Sequence, residues 1–90
     1  PLELTLAPGA LGSNELRVTA HGPDRASRDP GTLRVRASAP SGSGLAGSVT
    51  TLGEDGTARR ATLRIEAVGD WTLTVIDADE RATEFVVPVR

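Results

Sequence analysis

The feature that most limits how this chain can fold is its two-residue hydrophobic rhythm. Leu2, Leu4 and Leu6 alternate with Glu3 and Thr5. Leu16, Val18 and Ala20 repeat the pattern, as do Leu33, Val35 and Ala37 around Arg34 and Arg36. Ala61, Leu63 and Ile65 alternate with Arg60, Thr62, Arg64 and Glu66, and Trp71, Leu73 and Val75 alternate with Thr72 and Thr74. Successive side chains of a strand point to opposite faces, so this rhythm is that of half-buried β-strands. No segment sustains a period of 3.6. The nearest helical rival is "ARRATLRIEAV" (Ala58 to Val68), rich in helix-forming residues. Its strict alternation outweighs that propensity and predicts a strand.

The breaks between these runs are as informative. "HGPDRASRDPG" holds Pro23, Pro30 and Gly31, "SAPSGSGLAG" is a flexible loop of small residues, and "GEDG" and Gly69-Asp70 read as turns. "SVTTL" is a further short strand. "DADE" closes a hairpin into a last strand, "ATEFVVPVR", in which Phe85/Val87/Val89 and Val86/Pro88 compete for the inner face. Pro88 has no N–H for a ladder, which favours an edge. Seven short strands with turns between them predict an all-β, seven-stranded antiparallel immunoglobulin-like β-sandwich. Trp71 would plug one end of its core, with an indole N–H that needs a partner.

Composition bounds the size and class of this sandwich. At 90 residues, with 10 Leu, 8 Val, 2 Ile, one Phe and one Trp, residues 1–90 supply one small core. There is no cysteine, so neither a disulfide nor a thiolate contributes. The net charge is −2, with acids and bases interleaved and every basic residue an arginine. No basic stripe points to nucleic acid, and no apolar run reaches the ~20 residues of a membrane span. No signal peptide is evident. The opening "PLELTL" already lies inside a strand pattern, so we expect a domain excised from a larger membrane protein.

The stretch "APGALGSN" interrupts the first two strand patterns early. Pro8 can end one ladder, Gly9 and Gly12 can take positive φ, and Asn14 can hold a turn by bonding to nearby backbone. The same residues carry a resemblance. Pro8, Gly9, Gly12 and Asn14, with the later Gly69, Trp71 and Val75 of "GDWTLTV" and the closing "FVVPVR", are similar to the C-terminal soluble domain of the copper resistance protein D family. The family often places an aromatic in its fifth strand, and "GTARRATLRI" has none. The resemblance implies a bacterial multi-span membrane protein that moves copper or confers copper tolerance. It places this domain outside the cytoplasmic membrane, at its outer face or in the periplasm, tethered to the membrane portion.

Little in the residues suggests chemistry within the domain itself. Copper needs Cys, Met or His ligands, and the chain has no Cys, no Met and one His. His21, beside Asp24 and Asp29 in sequence, is the sole weak metal candidate, and its simpler reading is a solvated loop histidine. Asp77, Asp79 and Glu80 lack the glycine and distal glutamate of a calcium loop. Glu54-Asp55 reads as a turn with Gly56 in the strained position. Arg59-Arg60 reads as a solvated strand edge, with a weak option of anionic lipid. The serines cluster in "SAPSGSG" without an orienting acid, and the paired carboxylates are expected in exposed turns. We therefore expect no catalytic residues and no cofactor in this domain, with copper left to the parent protein. The expected role is a non-catalytic accessory module that docks on the membrane portion, on a copper-binding partner protein, or on a second copy. The alternative is a generic adhesion or carbohydrate-binding module of a bacterial surface protein.

Overall fold

The computed structural model describes residues 2–21, 27–28 and 30–90. Among them there are nine strands and no helix: β1 (Leu2–Ala7), β2 (Gly12–His21), β3 (Ser27–Arg28), β4 (Arg34–Ser38), β5 (Ser48–Thr51), β6 (Gly53–Asp55), β7 (Ala58–Ile65), β8 (Gly69–Ile76) and β9 (Ala82–Val89). They form two antiparallel sheets. The first has the order β1-β2-β7-β6, with β3 pairing the end of β2. The second has the order β5-β4-β8-β9.

The alternation read in the sequence becomes the burial pattern. Leu16 and Val18 of β2, Leu63 and Ile65 of β7, Val35 and Ala37 of β4, and Trp71, Leu73 and Val75 of β8 are buried together with Leu33, Leu52 and Val89. These side chains come from the inner faces of both sheets and fill the space between them, which is what makes the arrangement a sandwich. Fully burying each larger side chain contributes roughly 1.5–3 kcal/mol. In β9 the inner positions are Phe85, Val87 and Val89, while Val86 is 60% exposed. The register Trp71↔Val87 and Leu73↔Phe85 explains the choice, because cross-strand partners share a face. Leu2, Leu4 and Leu6 are only half-buried, as suits an edge strand.

Three expectations are corrected. There are nine strands, eight of them three residues or longer, not seven. The additions are β3 and β6. Gly53–Asp55, read as a turn, pairs with Ala58–Arg60 across the two-residue turn Gly56-Thr57, and Gly56 has φ +60. Gly, Glu and Asp are poor strand formers, so a neighbouring ladder and not propensity makes β6. Second, β2 starts at Gly12, ahead of the alternation from Leu16, and β8 starts at Gly69, so Asn14 and the Gly69-Asp70 pair read as a turn lie within strands. Third, Arg59 is buried at 3% exposure and does not lie on a solvated edge.

Candidate functional site

The register places three loops at one end of the sandwich. Gly12 pairs with Ile65, which brings the β1–β2 loop beside the β7–β8 corner. Ser38 pairs with Thr72, which brings the loop after β4 to the same end. Pro8, Gly9, Gly12, Asn14, Gly69 and Trp71, singled out in the sequence, lie at this end.

Asn14 ties the first loop. Its Oδ1 accepts from Gly9 N at 2.7 Å and Ala10 N at 3.3 Å. Its Nδ2 donates to Ala10 O at 2.7 Å and Gly12 O at 3.0 Å. A side-chain amide has two donors and two lone pairs on its oxygen, so the loop itself uses this capacity. That explains how an amide can be 2% exposed in a core strand without an orphaned polar group. Gly9 and Gly12 have φ of +74 and +101, which side-chain-bearing residues rarely adopt. The Ala7-Pro8 peptide bond is cis.

Trp71 ties the second loop. It starts the buried run of β8, is 5% exposed, and donates from Nε1 to Ala67 O at 2.9 Å. Gly69 stands two residues earlier with φ +122, and a Cβ there would meet the Pro40 side chain at 3.0 Å. That close approach couples the β7–β8 corner to the loop after β4. Val75 is fully buried in the core. Between these anchors the end exposes Leu11 at 57% and Val68 at 56%.

His21 lies at the opposite end. Its Nε2 is 3.2 Å from Thr19 Oγ1 and 3.4 Å from Glu3 Oε2. Asp24 and Asp29, its sequence neighbours, lie outside the described residues. Among the described residues no group of three His, Cys, Asp or Glu side chains converges to hold a metal ion.

The acidic turn 77–80 is organised by its own backbone and a surface ion pair. Asp77 Oδ1 accepts from Asp79 N and Arg81 N, both at 2.9 Å. Glu80, at φ +62, accepts through both carboxylate oxygens from the single nitrogen Arg34 Nη2, at 2.8 Å to Oε1 and 2.7 Å to Oε2. Arg60 bonds Glu15 at 3.1 Å and lies 3.6 Å from Asp55 on the outer face.

Arg59 turns inward. Its Nε donates to Gly31 O at 2.9 Å, and its Nη1 donates to Ala58 O at 2.9 Å and Gly56 O at 3.3 Å. It therefore fastens the β6–β7 turn to the segment before β4. Parity was the missed signal: if Ala61, Leu63 and Ile65 face inward, so does Arg59.

One cleft of about 420 Å³ opens between the sheets on the side of β5 and β7. Its apolar floor includes Leu63, Ile65 and Trp71, with Leu45 at the rim, and the inner positions of β5 line it with Ser48 and Thr50. Compared with models of known families, curated proteins and solved structures, the chain has no match.

Proposed function

We propose that this domain is a non-catalytic, immunoglobulin-like interaction module on the outer side of the cytoplasmic membrane, belonging to a bacterial multi-span protein that resembles copper resistance and copper transport proteins. The strand order supports the immunoglobulin-like reading. β1-β2-β7-β6 and β5-β4-β8-β9 follow the A-B-E-D and C′-C-F-G orders of that fold. The corner before β8 supports it too, because Trp71 bonds back to Ala67 much as a tyrosine does at the corresponding corner of such domains.

The observation that carries the functional reading is where the hydrogen bonds of Asn14 and Trp71 go. Asn14 uses two donors and two acceptor contacts, and Trp71 its single N–H, on their own loops. They act as fasteners that shape an end from which Leu11 and Val68 project. A shaped, partly apolar end suits docking on the membrane portion or on a copper-binding partner protein. The carbohydrate-binding alternative is less well supported, because Trp71 is buried and Phe85 half-buried on the inner face.

The test uses the full gene product in cells, with and without this domain, and with Leu11→Asp plus Val68→Asp. Reduced copper tolerance or altered copper accumulation in both altered strains is expected. Unchanged copper handling on deletion of the domain removes the copper context. A deletion that lowers surface adhesion instead supports the alternative.

A further inference from the structure

The two long sides of the sandwich differ. On one side β1 and β9 touch. The other side is open, because β6 covers only residues 58–60 of β7. From Ala61 to Ile65, β7 has β2 on one flank and, among the described residues, no strand on the other. The ladder phase decides which groups are bare. Arg60 O faces β6, 3.7 Å from where a Cβ on Gly53 would sit. Backbone groups alternate in direction along an antiparallel strand, so Thr62 and Arg64 direct their N–H and C=O groups to this open side.

The other edges differ: β1 and β9 lie against each other, with Pro88 near the end of β9, while β5 has four residues and β6 three. Prolines and short strands are the usual protections of a sheet edge. Residues 61–65 of β7 have neither.

Building on the interaction-module reading, we infer that this edge pairs with the same edge of a second copy, antiparallel about a twofold axis at Leu63. Three registers align the bare residues, and charge separates them. Centred on Thr62, the pairing sets Arg64 against Arg60 of the second copy, a position already held by β6. Centred on Arg64, it sets Arg64 against Arg64. Centred on Leu63, it sets Thr62 against Arg64 in both directions, which forms four main-chain hydrogen bonds. The ladder then runs from Ala61 to Ile65 in both copies and stops there, because β6 holds the position opposite Arg60 and β7 ends at Ile65. Like charges directly opposite one another are unfavourable, so the Leu63 register, which sets no arginine against another and uses only uncovered residues, is selected. The side chains of Arg64 and Glu66 pair with each other within one copy at 3.3 Å, 71% and 57% exposed, so the Arg64 charge beside this edge is partly balanced. The first sheets of two copies then join into one, and their two clefts face each other. A contact of this size is well below the ~800 Å² per partner of a standard interface, so association is weak and concentration-dependent.

Sedimentation equilibrium on the 90-residue domain, from micromolar to millimolar concentration, tests the pairing. The wild type is expected to show a monomer–dimer equilibrium. Thr62→Arg places arginines opposite both copies of Arg64 and is expected to weaken dimerisation about tenfold. Adding Arg64→Glu to Thr62→Arg sets opposite charges in both places and is expected to restore it. Thr62 and Arg64 are both exposed, and Trp71 emission with far-ultraviolet circular dichroism verifies that each variant is folded. A wild type that stays monomeric, a Thr62→Arg variant that dimerises as strongly as the wild type, or a double variant that fails to recover overturns the inference. A monomeric wild type with the cellular copper phenotype retained separates failure of this pairing from failure of the docking role.

Discussion

Asn14→Ala is the substitution from which the fold should lose most for the fewest atoms. The wild-type amide satisfies two N–H groups and two carbonyls of residues 9–12. A typical net contribution is about 0.5–1.5 kcal/mol per hydrogen bond, and an orphaned buried group costs about 1–3 kcal/mol. The four bonds are part-buried, so water can reach some of the released groups and the low end of the range applies to those. The variant should therefore lose about 2–4 kcal/mol, a large share of the stability of a domain this size. Urea unfolding followed by Trp71 fluorescence measures it, because the indole moves from a 5% exposed site into water. With a slope of about 1 kcal/mol/M for a small protein, the midpoint should fall by about 2–4 M with the slope unchanged. Asn14→Asp sharpens the test. It keeps the acceptors for Gly9 N and Ala10 N but turns an anionic oxygen toward Ala10 O and Gly12 O. It should be no better tolerated than alanine. Ser13→Ala, an exposed neighbour, is the control. A loss under about 0.5 kcal/mol for Asn14→Ala, the range of ordinary surface changes, would refute the view that this side chain holds the loop.

Three further substitutions probe the other fasteners. Gly69→Ala should cost about 1–3 kcal/mol, because it combines φ +122 with a Cβ 3.0 Å from Pro40, whereas Gly44→Ala, at φ +75 in open space, should cost less in the same urea titration. Trp71→Phe removes the bond to Ala67 O and leaves a smaller ring, and thermal unfolding by circular dichroism should show a loss of about 1–3 kcal/mol. Arg59→Ala should destabilise by about 2–3 kcal/mol through uncapped carbonyls and lost packing. Arg60→Ala, whose partners are exposed carboxylates, should change stability by less than about 1 kcal/mol, and less still in high salt. Equal losses for the two arginines would contradict the inward placement of Arg59.

The sequence by itself determined the secondary structure class and most inner faces. Strict alternation is a local property, and a strand has only two faces, so Leu16/Val18, Leu63/Ile65 and Trp71/Leu73/Val75 had to share sides wherever their strands went. The glycine positions were equally local: Gly9 and Gly56 in turns, and Gly12 and Gly69 at the starts of β2 and β8, supply backbone conformations that other residues resist. The tertiary structure decided what depends on a partner distant in the chain. β6 is a strand only because β7 lies beside it, and Phe85 faces inward because Leu73 is opposite. Arg59 is buried because carbonyls from Gly31, Gly56 and Ala58 converge on it. The open edge of β7 is likewise invisible in a sequence, since it exists because β6 stops after three residues while β7 runs for eight. Alternation specifies which way a side chain points, and only the assembled sheets specify what it meets there.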